Sequence, residues 1–299
     1  MVTVPEIGEL KAAVERSAGG RHVAELVRFT RGAQSANFAG RWADDGSRFV
    51  LKLVPPARGT QYARLVDHLE KTASGVVVRE VTPRIRFELD GFRALVLAWC
   101  DGEALGFDAL CGKADGVERL VADYRTFSAT IQGVSELYPT YDYPAWAEEA
   151  LASPLASALP ADFGDVDFSV LKREARVIHG DFQADNLRFA SGRLTGVLDL
   201  EEFRLGSPLE DFARYVCQGV DRMPWWTWSR WRAVLAGVAR LRAATGAADD
   251  AWRAAVYGQL LWKIGKTIRK GKTGRLTAAN LKWRLRKYGE LVKTTRRAK

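Results

Sequence analysis

Residues 177–189 read VIHGDFQADNLRF. Asp181 falls in a polar loop, Asn186 follows five residues later, and an apolar run comes next. A carboxylate in such a loop can take or orient the proton of an attacking hydroxyl. The Asn186 amide oxygen is a hard donor suited to Mg²⁺, which wants oxygen ligands and keeps several waters. A second carboxylate, Asp199, ends the apolar strand in LTGVLDLEEF, and the strand pins it near the loop that carries Asp181 and Asn186. One base, one amide, one further carboxylate and a divalent cation form the set that phosphoryl transfer needs, because its catalysis is mainly positioning and charge neutralisation. A lone H-G-D reads as a solvated loop. The ordered series of H-G-D, Asn, a strand ending in Asp, and GSPLEDFA does not.

A cation belongs to the same chemistry. FVLKLV sets Lys52 among Val50, Leu51, Leu53 and Val54. An isolated buried ammonium is costly, so Lys52 needs a counter-charge. Nucleotide phosphates and an acid from a nearby helix would supply it. An edge-strand lysine facing water is the competing reading.

The elements that must position these residues follow from pattern. EIGELKAAVERSAGG has helical periodicity and ends in glycines. HVAELVRFT reads as a strand. RGAQSANFAGRWADDGSRFVLKLVPP reads as a loop and two strands about a turn at DDGS, stopped by Pro55-Pro56. TQYARLVDHLEKTAS is helical, with Leu65, Val66 and Leu69 on one face, and PRIRFELDGFRALVLAWCDG gives two strands joined at Asp90-Gly91. Beyond Gly102 the pattern turns helical: VERLVADYRTFSATIQGV, YPAWAEEALAS, and helices within 208–244, 249–269 and 277–294. Residues 154–170 read as loop, and NLRFASGRLTGVLDL as two short strands about Ser191-Gly192. A small antiparallel sheet lobe over 1–98 and a larger, mainly helical lobe over 99–299 is the α+β organisation expected.

Bulk properties narrow the class. The chain has 299 residues, 47% hydrophobic and 27% charged, which is ordinary for a folded enzyme and wrong for disorder. Cys100, Cys111 and Cys217 are odd in number and form no C-x-x-C, so free thiols are expected rather than a disulfide framework or zinc ribbon. The start shows no basic stretch followed by an apolar run, and no apolar stretch approaches the ~20 residues of a membrane span, so a cytoplasmic location is expected. The net charge of +9 is uneven. Residues 263–299 hold 14 Lys and Arg against Glu290 alone, a local +13 on a body of −4.

HGDFQADN, GVLDLEEF and GSPLEDFA resemble the catalytic loop, metal-binding strand and following helix of the aminoglycoside phosphotransferase and choline kinase family, small-molecule kinases with a bilobal protein-kinase-like fold. The resemblance spans roughly residues 25–220. It implies Asp181 as catalytic base, Asn186 and Asp199 as Mg²⁺ ligands, His179 as a loop-shaping residue, and Asp211 as the acid that braces the catalytic loop. Glu201 falls where some members carry a D-x-E. RGAQSANF resembles the phosphate-covering loop and would bring Ser35 to the phosphates of ATP or GTP. LVLAWCDGEAL resembles the strand-to-linker passage, with adenine held by backbone at Ala98, Trp99 and Cys100. One departure stands out. Family spacing puts the acid that pairs with Lys52 early in the helix after Pro55-Pro56, where this chain has Gln61 and Tyr62. Asp67 and Glu70 come late.

The acceptor is expected to be a small-molecule hydroxyl: an aminoglycoside or other antibiotic, an amino alcohol, a sugar or a nucleoside. Trp146, Trp225, Trp226, Trp228, Trp231, Trp252 and Trp262 all fall in the half that would build its pocket. Aromatic faces stack on sugars and hold cations, though packing between helices is the plainer use. Aminoglycosides are polycations and would need acids, of which Glu136, Asp142, Glu148, Glu149, Asp162, Asp165 and Asp167 are available. The basic end could hold anionic membrane or nucleic acid, but a helix with a solvated charged face, packed through Leu281, Leu285 and Leu291, is preferred. A monomer or homodimer is expected. The alternative function is a kinase-shaped binding protein without transfer activity that uses its basic C-terminal end to hold nucleic acid or membrane. A protein kinase is disfavoured, because the interval from Asp199 to Asp211 is too short for a long activation segment.

Overall fold

The computed structural model describes residues 4–29, 36–55, 64–69, 83–138, 151–152, 159, 163–222, 228–269 and 278–293. The chain divides into two units. The first comprises Met1–Gly102 together with Thr195–Glu201, the second Glu103–Leu194 and Glu202–Lys299.

The first unit is built on a five-stranded antiparallel sheet: β1 (Val23–Arg28), β2 (Ala36–Trp42), β3 (Arg48–Val54), β4 (Pro83–Leu89) and β5 (Phe92–Ala98). Their order is β1-β2-β3-β5-β4, which makes β3 central. Period-two alternation along β3 sends Phe49, Leu51 and Leu53 to one face. There they pack with Phe38, Trp42, Phe92, Ala94 and Val96, and with Leu10 and Val14 of α1 (Ile7–Ser17). The Glu9 carboxylate accepts the Glu6 N–H at the start of α1, as in a capping box. Gly19 and Gly20 follow its end with positive φ. Residues 64–69 are helical, with Leu65, Val66 and Leu69 buried.

The second unit is mainly helical: α2 (Phe107–Cys111), α3 (Gly116–Ile131), α4 (Pro208–Arg222), α5 (Trp228–Thr245), α6 (Asp249–Arg269) and α7 (Ala278–Lys293). A 3₁₀ helix at Phe168–Glu174 begins at the end of the stretch 154–170 read as loop. Two three-residue strands, β6 (Arg176–Ile178) and β9 (Arg204–Gly206), pair antiparallel. β7 (Leu187–Ala190) and β8 (Arg193–Val197) form a hairpin. Ser191 and Gly192 both take positive φ, 50° and 74°, as a two-residue type I′ turn requires. Tyr124, Phe127, Phe182, Phe203 and Phe212 gather edge to face beneath the loop that follows β6.

The basic end turns apolar side chains inward. Leu285, Tyr288 and Leu291 of α7 are buried, and the Leu291 carbonyl accepts the indole N–H of Trp252 at 3.3 Å. Leu281 lies outside the described side chains. Among the described residues no helix is long and apolar enough to cross a membrane.

Candidate active site

Pairing of β6 with β9 fixes where the loop His179–Asn186 departs. Gly180 has φ 78°, and a Cβ there would lie 2.1 Å from the Glu202 carbonyl oxygen. Only glycine meets both demands. Gly180→Ala is therefore expected to destabilise the protein by about 2–4 kcal/mol, combining left-handed strain with a backbone shift. The midpoint of urea unfolding would show it, and an unchanged midpoint would mean that the loop yields freely.

Asp211 arrives on the first turns of α4. Ser207 caps that helix: its Oγ accepts the Leu209 N–H at 3.3 Å, and Glu210 Oε1 accepts the Ser207 N–H at 2.8 Å. Pro208 takes the first helical position. Fully buried, Asp211 accepts the Tyr124 O–H and the His179 N–H on Oδ2, each at 2.8 Å, and the Gly180 N–H on Oδ1 at 2.9 Å. Burial pushes its carboxyl above the usual range, against the pull of these donors. Burial also pushes the Tyr124 phenol well above its ordinary value, so it stays a donor. His179 is fully buried among Phe127, Phe182 and Phe203, and its Nδ1 accepts the Asp181 N–H at 3.2 Å. These bonds clamp three successive residues, His179, Gly180 and Asp181.

Asp181 is held from both sides. Arg214 donates to Oδ1 through Nε at 3.0 Å and Nη2 at 2.7 Å. Gln183 donates to Oδ2 at 2.8 Å and Asn186 at 3.2 Å. Asn186 also donates to the Asp181 carbonyl at 2.9 Å, which leaves its own amide oxygen directed elsewhere. The Arg214 guanidinium lies 3.8 Å from the centroid of Trp262. Arg214, Gln183 and Gln218 were not legible as site residues. The available signal was spacing, since Arg214 stands three residues after Asp211 and therefore on the same side of a helix.

In the first unit, Lys52 is buried on the central strand, between Asn37 of β2 and Leu95 of β5, not on an edge. Its Nζ lies 2.7 Å from Glu201 Oε1 and 3.2 Å from Asp199 Oδ1. Among the described residues, the carboxylates set against Lys52 come from the segment Thr195–Glu201. Asp67 pairs with Arg86 instead, while Gln61, Tyr62 and Glu70 lie outside the described residues. Glu201 is nearly as buried as Lys52, with a side chain 6% exposed, whereas that of Asp199 is 48% exposed. Asp199 also holds φ 61°, a conformation uncommon for a residue with a side chain. Glu201 can therefore neutralise the lysine while Asp199 keeps a carboxylate accessible.

The remaining expectations distribute as follows. Ser35 lies outside the described residues. Ala98 and Trp99 are half-buried and Cys100 is buried, with Arg48 stacked 3.5 Å from the Trp99 ring centroid. Trp231 and Trp252 are buried. The first donates to Glu290 at 2.5 Å, and Lys287 covers its ring at 4.1 Å. Trp146, Trp225 and Trp226, the side chain of Trp228, and the acids Asp142, Glu148, Glu149 and Asp162 lie outside the description. Glu136 is exposed, and Asp167 caps the 3₁₀ helix by accepting the Ser169 N–H at 2.9 Å. Among the described residues no three His, Cys, Asp or Glu side chains gather as a metal cage. Asn186 offers an amide oxygen and Asp199 a carboxylate oxygen, each a hard donor of the kind Mg²⁺ accepts.

Residues 25–256 match the model of the phosphotransferase enzyme family, APH, and the chain belongs to that family. No curated protein is close enough in sequence to count as a relative. Three solved structures share the fold. The aminoglycoside phosphotransferase APH(4)-Ia, a thermostable mutant with ADP and hygromycin B, is 14% identical with a TM-score of 0.56, over 96% of this chain and 99% of that one. A GDP and kanamycin complex of APH(2″)-IIIa is 14% identical with a TM-score of 0.59, over 95% and 97%. The macrolide 2′-phosphotransferase MphH from Brachybacterium faecium is 16% identical with a TM-score of 0.59, over 94% and 97%. The resemblance read from HGDFQADN, GVLDLEEF and GSPLEDFA is borne out, and with it the kinase-like fold class.

Proposed function

We propose that this protein moves the terminal phosphoryl group of ATP or GTP to a hydroxyl of a small molecule. Residues 1–98 would form the nucleotide-binding part, and residues 99–299 the catalytic and acceptor-binding part. The observation that carries the reading is the clamped Asp181: a partly buried carboxylate on a loop fixed by Asp211, His179 and Gly180. A base must be aimed before its pKa matters.

Asp181 orients the acceptor hydroxyl and takes its proton as the new O–P bond forms and the bond to the nucleoside diphosphate breaks. Asn186 and Asp199 would hold Mg²⁺. That ion, when bound, draws negative charge from the phosphate oxygens. Lys52, with Glu201 as its standing partner, directs an ammonium at the nucleotide phosphates, and Ser35 adds a hydroxyl from the phosphate-covering loop. Backbone at Ala98, Trp99 and Cys100 receives the base. Solved neighbours hold ADP in one case and GDP in another, so both nucleotides belong in the test.

The test is a transfer screen with Mg²⁺ and either ATP or GTP, against aminoglycosides, macrolides, choline, sugars, sugar phosphates and nucleosides. Phosphorylation of at least one hydroxyl is expected. Nucleotide binding with no transfer to any acceptor would instead favour a binding protein built on the same fold.

A further inference from the structure

Two hydrogen bonds reach Asp181 Oδ1, both from Arg214, and two reach Oδ2, from Gln183 and Asn186. A carboxylate offers about four lone-pair directions, so an arriving hydroxyl must displace one of these donors. Gln183 is tied at its other end, where its carbonyl oxygen accepts from Gln218 at 2.8 Å and from Arg214 at 3.3 Å. Asn186 is tied to the Asp181 carbonyl. Arg214 is the donor with capacity to spare, because its Nη1 makes no hydrogen bond among the described residues. Its guanidinium rests on the flat face of Trp262, a surface along which it can shift without losing contact.

An arginine that leaves a half-buried carboxylate must meet another anion, or both charges are left uncompensated. The neighbouring acids are already taken. Asp185 pairs with Arg222, and Asp221 pairs with both Lys263 and Arg284. Asp221 and Arg222 continue the line of Arg214 and Gln218 along α4, since positions 214, 218, 221 and 222 share one stripe of a helix, and Asp185 meets that stripe from the loop through Arg222. Among the described residues this face carries at least one cation for every acid and offers no surplus of carboxylates to a polycation.

We propose that Arg214 caps the base and selects an acceptor bearing an anionic group, a phosphate or carboxylate, beside its reacting hydroxyl. The anion draws Arg214 off Oδ1, and the vacated lone pairs receive the hydroxyl. Neutral and polycationic acceptors leave the cap in place. The inference rests on the kinase reading and narrows its acceptor.

The experiment uses the full chain saturated with Mg²⁺ and the non-hydrolysable nucleotide AMP-PNP, titrated in a calorimeter with inorganic phosphate, glucose or kanamycin. Phosphate should bind more tightly than either of the others. Arg214→Gln should weaken phosphate at least tenfold, and Arg214→Lys should restore part of the loss. With ATP in place of AMP-PNP, Arg214→Gln should raise background hydrolysis to ADP, because water then reaches an uncapped base. A merely structural role would not move the rate in that direction. Absence of phosphate binding, equal binding by Arg214→Gln, or tighter binding of kanamycin overturns the proposal. Failure of AMP-PNP itself to bind counts against the kinase reading instead.

Discussion

Asp181→Asn is expected to lower phosphate transfer by about 10²–10⁴-fold, the usual contribution of a positioned base, and to leave nucleotide affinity unchanged. Asparagine keeps the shape of the side chain, but its amide takes no proton and carries no charge. The loop around it is held by backbone groups of His179 and Gly180 on Asp211, so the fold survives the change. Single-turnover transfer and nucleotide calorimetry on the same preparation separate the two effects. Wild-type turnover by the variant would remove Asp181 from its role. Loss of nucleotide binding would mean that the carboxylate contributes to the phosphate site rather than to proton removal.

The second large effect lies beneath the loop. Asp211→Ala strands three buried donors at once: the Tyr124 hydroxyl and the N–H groups of His179 and Gly180. Each unsatisfied buried donor costs about 1–3 kcal/mol, part of it recoverable where a group can turn, so a loss of about 3–5 kcal/mol is expected. Against a total stability of about 5–15 kcal/mol this is severe. Tyr124→Phe is the control. It removes one donor and leaves the acceptor satisfied by two others, so its cost should stay near 1 kcal/mol. Urea midpoints for the two variants test the ranking. Equal midpoints would mean that Asp211 is replaceable by solvent and that the clamp is not what orders Asp181.

What could be read in advance divides by the range of the interaction. The apolar run of FVLKLV, stopped by Pro55-Pro56, showed a strand with Lys52 inside it, because such a run and its breaker are local properties of the chain. The turn at Ser191-Gly192 and the glycines closing α1 were legible for the same reason, since positive φ has a residue signature. The spacing of Asp181, Asn186 and Asp199 was legible because a loop and a hairpin carry all three within nineteen residues. The partner of Lys52 was not. Glu201 lies far along the chain, and nothing in the local pattern distinguishes a buried acid there from the exposed Glu202 beside it. β6 and β9 are three residues each, too short for any period to register. Arg214 looked like one more cation in a basic protein. Its importance follows from Asp181, Gln183 and Trp262, which only folding brings against it.

The segment Thr195–Glu201 belongs with the first unit although it is encoded long after the sheet is complete. A ribosome therefore releases all five strands while the anions for Lys52 are still unmade. About a hundred more residues must emerge before Glu201 appears, a delay of about 5–20 s at ordinary rates of synthesis. Through that interval the nascent sheet carries the Lys52 ammonium in its central strand without the carboxylates of Asp199 and Glu201. The unit is complete only when the segment after the β7–β8 hairpin is delivered to it, so a chain cut short before Thr195 would present the sheet without either of these late-made acids.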